Sequence, residues 1–179
     1  GTELFTEHTT LAVLPVLYGE ATLADLARLW GVVYGTNLLG GAIFAAGMVR
    51  FGPAYGIIDP TAFVRLAEPL VSHSAVSTLF AAVLAGWLMG LLSWMVTSVK
   101  GSSARILLVV AVTTIIGFGH LPHSIAGNVE VVAGLLTSPA ITFGDYVRFL
   151  VLATAGNVFG GTIFVALLKY GYVIGGIES

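Results

Sequence analysis

Cysteine is absent from the 179 residues, which removes disulfides, thiolate catalysis and thiolate metal sites together. Charge is nearly as scarce, since 9% of the residues are Asp, Glu, Lys or Arg while 57% are hydrophobic. That balance excludes a soluble core and leaves packed membrane helices. The few cations form no basic stripe and there is no nucleic-acid motif, so nucleic acid is not an expected partner. Charged side chains are missing altogether from residues 29–49, 76–99, 106–129 and 149–168. Each of these stretches reaches the roughly 20 residues that a helix needs to cross a bilayer, so four spans are expected. An initiator methionine is also missing. The first eight residues, Gly1 to His8, are polar, and the apolar run that follows at 10–18 is too short to cross. The expectation is a truncated start that lacks one and a half helices, which would make three per repeat.

What is present, above all, is a duplication. Asn37-Leu38-Leu39-Gly40-Gly41-Ala42-Ile43-Phe44 returns as Asn157-Val158-Phe159-Gly160-Gly161-Thr162-Ile163-Phe164, and Thr22, Asp25 and Arg28 return without a gap as Thr142, Asp145 and Arg148. Duplicated membrane folds place a substrate site where their repeats meet, and three helices per repeat invert the second across the membrane. The chain therefore reads as one transmembrane transport domain over 1–179, with repeat one at 1–50 and repeat two at about 74–179. Lys100 and Arg105, on a loop with no acid nearby, mark the cytoplasmic side, and Lys169 places the C-terminus there too. The connection over 50–73, with Pro53, Pro60 and Pro69, then reads as an external loop carrying a short surface helix near 61–70.

Residues 106–136 are too many for one plain helix, and Gly117, Gly119 and Pro122 sit in their middle. A break exposes backbone N–H and C=O groups that hydrocarbon cannot satisfy, so it survives only inside protein or against a wet cavity. The break thus marks the pathway, and into it the chain inserts His120 and His123, with Ser124 and Asn128 beyond. At the repeat offset His123 corresponds to Glu3, and Ser124, Ile125 and Ala126 correspond to Leu4, Phe5 and Thr6. Two broken segments facing each other, one with an imidazole and one with a bulky apolar pair and a hydroxyl, make the inventory of a gate or filter. The plainer reading of Gly40, Gly41, Gly160 and Gly161 is close helix packing. Asn157 serves equally as a packing amide or as a polar group facing a cavity.

These residues carry a resemblance to the formate/nitrite transporter family. Glu3-Leu4-Phe5-Thr6 is similar to its acidic-Leu-Phe-Thr loop, and Tyr34-Gly35-Thr36-Asn37 to its third span. Gly117-Phe118-Gly119-His120 with His123-Ser124-Ile125-Ala126 is similar to its Gly-Phe-x-His-Ser-Ile-Ala element, and Gly156-Asn157-Val158-Phe159-Gly160-Gly161 to its last span. The resemblance implies an all-α membrane protein with an aquaporin-like inverted repeat and two broken helices. It also implies a homopentamer with one pore per subunit that carries small monovalent anions such as formate, nitrite or hydrosulfide. The pore histidine maps onto His123, because Ser-Ile-Ala follows it directly, with His120 as second choice. The facing threonine maps onto Thr6, the apolar constriction onto Leu4 and Phe5, and the last-span asparagine onto Asn157. Three departures mark a divergent branch: the second histidine, Leu84-Ala85-Gly86-Trp87 where the family's middle span often has an asparagine, and Glu68-Pro69-Leu70-Val71 where a basic residue is expected.

Two other classes stand against this reading. An aquaporin-like channel for small neutral solutes shares the architecture, but here Asn37 and Asn157 are followed by Leu38 and Val158 rather than by Pro-Ala. A membrane enzyme would need clustered carboxylates, metal-spaced histidines or a nucleophile with its base, and the His120 and His123 pair has no third ligand in reach by sequence. No enzyme activity, metal or cofactor is expected. The setting that fits is the inner (cytoplasmic) membrane of a bacterium or archaeon, with the C-terminus cytoplasmic, and both a channel with the pore histidine as a hydrogen-bond donor and a transporter proton-coupled through it stay open.

Overall fold

A computed structural model describes Phe5 and residues 12–162. Among these residues all regular structure is helical: α1 (Leu14–Leu17), α2 (Leu23–Phe51), α3 (Pro60–Val71), α4 (Ala75–Ser98), α5 (Ser102–Phe118), α6 (Ser124–Thr137) and α7 (Phe143–Phe159). The duplication is visible in how the two motif helices begin. The Thr22 hydroxyl oxygen accepts the Asp25 N–H at 3.1 Å and the Asp25 carboxylate accepts the Thr22 N–H at 3.1 Å. Thr142 and Asp145 repeat this box at 3.2 and 2.9 Å. Each box satisfies two of the donors that a helix start leaves unpaired.

Of the four expected spans, α2 and α4 are uninterrupted and apolar enough to cross alone. Their 29 and 24 residues correspond to about 43 and 36 Å of helix. The third is split into the half-helices α5 and α6, as the glycines and proline in its middle require. The fourth is α7, which runs on as a π turn at 160–162. Counted along the chain, α2, α4 and the α5–α6 pair are three crossings, so α7 runs opposite to α2 and the second repeat is inverted. The break expected in the first repeat falls on residues outside those described.

Glycine sets the closest contacts. On the α4–α7 face, a Cβ at Gly86 would overlap the backbone of Asn157, one at Gly160 the carbonyl of Val83, and one at Gly156 would lie 2.5 Å from the Ala82 side chain. The half-helix α6 uses the same device: a Cβ at Gly127 would meet the Phe149 ring, and one at Gly134 would lie 2.5 Å from Ala67. Such surfaces let helices pack by van der Waals contact where no hydrophobic drive operates between them. Where α3, α6 and α7 meet, Ala67, Leu70, Val131, Ile141, Phe149 and Ala153 form one buried cluster.

The short helix expected near 61–70 on the connection over 50–73 is present. This helix, α3, has one face in the protein, with Phe63, Ala67 and Leu70 buried. Spaced by four and three residues, these three side chains share one helical stripe, and α6 covers it. The far end of α3 is held by α7, whose Arg148 guanidinium donates to the carbonyls of Val71 at 3.3 Å and His73 at 2.6 Å.

Candidate functional site

The break between α5 and α6 is built from the residues that the sequence places there. Gly119 ends α5 and donates to the Ile115 carbonyl at 2.9 Å, and the Leu121 N–H reaches back to Ile116 at 3.0 Å. His120 turns the chain with φ +45°, in the left-handed region that non-glycine residues seldom occupy. Its side chain is exposed, whereas His123 is 8% exposed. His123 has extended backbone and is the N-cap of α6, its Nδ1 accepting the Ala126 N–H at 3.1 Å. The two histidines are thus separated in role: one turns the chain, and the other heads the half-helix inside the protein.

Breaking a helix in the membrane strands backbone groups, and one side chain from α7 collects them. The Asn157 Oδ1 accepts the Ser124 N–H at 2.8 Å, while its Nδ2 donates to Pro122 O and Ala82 O, both at 2.9 Å. Asn157 is 1% exposed. The structure therefore joins His123 and Asn157 in one constellation, with the amide spent on the backbone of the break and of α4. In the first repeat the matching residue also receives a backbone donor, since Asn37 Oδ1 accepts the Phe5 N–H at 3.1 Å, one position beyond the counterpart of Ser124. Phe5 is buried, 4% exposed, with its ring centroid 4.7 Å from that of Tyr34 and 6.1 Å from that of Trp30. Leu4 and Thr6, expected beside it, lie outside the described residues.

The four motif glycines divide. Gly160 and Gly161 are buried, Gly160 against α4 as described above. A Cβ at Gly41 would lie 2.5 Å from Asn128 Nδ2. At Gly40 a Cβ would meet nothing within 4 Å inside the subunit. The reason is the neighbour: α4 lies along the second copy, and among the described residues no helix lies along the corresponding face of the first.

Sequence reasoning noted Asn128 only as a polar residue past the break. It is fully buried, with its Nδ2 donating to Leu38 O at 3.1 Å and its Oδ1 accepting from the Tyr146 hydroxyl at 2.8 Å. One amide so links α2, α6 and α7. Gly41 makes room for it, a signal that was present in the motif but had no visible partner.

This arrangement has known counterparts. The family described as Formate/nitrite transporter matches residues 1–171. The chain belongs to the formate/nitrite transporter family. It is 31% identical over 175 residues to Inner membrane protein YfdC of Escherichia coli (strain K12), and 25% identical over 177 residues to Uncharacterized transporter YrhG of Bacillus subtilis (strain 168). These alignments take in 96% and 95% of the chain but 55% and 64% of the two relatives, so the chain spans less than two thirds of the length of either. Among solved structures, one titled FNT family ion channel superimposes with a TM-score of 0.84 over 97% of this chain and 70% of that one, at 24% identity. At that identity the likeness concerns the fold, and it agrees with the all-α membrane architecture.

Proposed function

We propose that this protein is a membrane channel or transporter for small monovalent anions of the formate, nitrite or hydrosulfide class, with a pore histidine through which transport is proton-coupled. The observation that carries the reading is the α5–α6 break, where an imidazole heads a half-helix and the Asn157 amide satisfies the backbone around it. The N-terminus of a half-helix favours negative charge, which draws an anion toward the break. Stripping water from that anion in an apolar passage is costly, whereas its neutral acid crosses far more easily. A neutral imidazole that accepts at Nδ1 carries its proton on Nε2, so His123 is both an acceptor and a donor. Taking up a second proton requires Nδ1 and breaks the bond to Ala126, which ties the protonation of His123 to the seating of α6.

In this reading Leu4 and Phe5 form the apolar constriction and Thr6 the facing hydroxyl, and His120 is a turn residue of lesser consequence. The chain is one transport domain with repeats at 1–50 and about 74–179, assembled as a homopentamer in an inner membrane with its C-terminus cytoplasmic, and it is not an enzyme. Proteoliposomes test the function directly. Formate and nitrite uptake with exclusion of glycerol is expected, and glycerol flux without anion flux would replace the reading with that of a neutral-solute channel.

A further inference from the structure

The hydroxyls of Tyr34 on α2 and Thr154 on α7 are 2.5 Å apart, and the two residues are separated by 120 positions. That is the offset that relates Asn37 to Asn157, so Tyr34 and Thr154 are each other's counterparts in the duplication. Counterparts related by a two-fold axis touch only where that axis passes between them. The pair therefore lies on the pseudo-two-fold axis, at the centre of the repeat interface, where inverted repeats hold their substrates.

The surroundings give the pair a task. It borders a cleft of about 500 Å³ between α2 and α7, whose other lining residues are Leu38, Val147, Leu150, Val151 and Ala155. Among the described residues, Tyr34 and Thr154 are the only lining residues with polar side chains, and they face each other. The Tyr34 ring in turn touches the Phe5 ring, and Trp30, one helical turn earlier on α2, meets Phe5 edge-on. Phe5 is tied to α2 through its backbone by Asn37 and through its ring by Tyr34, and Tyr34 is tied to the opposite repeat by one hydrogen bond.

We propose that the Tyr34–Thr154 hydroxyl bridge is a selectivity latch, which holds the Tyr34 ring against Phe5 and so fixes the width of the Phe5 constriction. The proposal rests on the reading of Phe5 as part of the anion passage. Tyr34 and Thr154 are positioning residues and need not touch the substrate. Without the bond, α2 and α7 are no longer fastened at the axis, the ring of Tyr34 loses its anchor, and Phe5 gains room. The passage then discriminates less against monocarboxylates larger than formate.

The test compares Tyr34→Phe, Thr154→Val and the double variant, each in the full chain in proteoliposomes, by the ratio of acetate to formate flux. Losing one hydrogen bond is expected to raise that ratio about fivefold in either single variant. The double variant should show no further rise, because both changes remove the same bond, and Thr154→Ser, which keeps the hydroxyl, should retain the parent ratio. An unchanged ratio, or effects of the two single changes that multiply in the double variant, would overturn the latch. A second readout does not depend on transport. In a Trp87→Phe, Trp94→Phe background Trp30 is the only indole, and its acrylamide quenching reports the packing of Phe5. Equal changes in quenching are expected for Tyr34→Phe and Thr154→Val, and none for Thr154→Ser. Unaltered quenching in the first two overturns the latch whatever the substrate. Altered quenching in a preparation that carries no anion supports the latch and refutes the transport reading instead.

Discussion

At the scale of single residues, substitution can separate the cap that His123 supplies to α6 from the titration proposed for its ring. Its Nδ1 caps α6, so replacement by an apolar residue removes a cap as well as a titratable ring. Asparagine keeps an acceptor suited to the cap position and does not titrate. His123→Asn is therefore expected to retain the assembled protein while flattening the dependence of formate and nitrite flux between acidic and neutral pH, and the same change at His120 should alter the profile less. An unchanged pH profile in His123→Asn would remove imidazole protonation from the mechanism. Asn157 makes a different prediction. Its truncation to alanine leaves the Ser124 N–H and the carbonyls of Pro122 and Ala82 without that partner, at about 1–3 kcal/mol for each group that stays buried and unpaired. A large drop in the thermal unfolding midpoint in detergent is expected for Asn157→Ala, with flux lost in proportion to folded protein. A folded, stable variant that fails to transport would instead make the amide part of the passage.

At the scale of helices, the contacts predict which glycines tolerate a methyl group. Gly160→Ala has to push α7 away from the Val83 carbonyl on α4, whereas Gly40→Ala meets open space within the subunit. The first should lower the unfolding midpoint and the second should leave it within error, as followed by tryptophan fluorescence on heating. The connecting helix α3 adds a dependence on pH. The Thr61 hydroxyl and N–H both donate to the Asp59 carboxylate and hold its pKa below the usual value. Its contribution to stability is then complete above the unfolded-state pKa and is lost as pH falls through the lower folded value. Asp59→Asn should therefore show a shallower loss of stability on acidification than the parent. How far these elements were legible in the chain follows from whether each had a repeating signal. The duplicated Thr-Asp caps and Asn-x-x-Gly-Gly helices could be read by aligning the chain with itself, and the break by its glycines and proline. The buried face of α3 could not be read that way, because the proline-rich connection occurs once and its stripe of Phe63, Ala67 and Leu70 is only three residues long. Asn128 escaped for a related reason: a polar residue in an apolar run shows that a partner exists, but not that Leu38 and Tyr146 supply it.

At the scale of the whole molecule, the subunit presents a lipid-like surface, with Leu39, Ile43 and Phe44 of α2 each 60% or more exposed. A ring of five subunits is expected, and native mass spectrometry from mild detergent decides it. The orientation is equally accessible, because with no native cysteine an introduced thiol is the only one. Ser102→Cys, at the start of α5, should react with a membrane-impermeant maleimide only when the cytoplasmic side is opened. The bracket made by Asn157 also has a consequence in time. A ribosome produces the Ser124 N–H 33 residues before the side chain that will accept it, a delay of about 2–7 s at ordinary elongation rates. Throughout that interval the gap between the half-helices has no amide to close it, so the insertion machinery has to shelter α5 and α6 from lipid until α7 is delivered beside them. The helix made after the pair, α7, is thus the one that lets that pair enter the bilayer, and a stop in synthesis before Asn157 should leave the pair held at the insertion site.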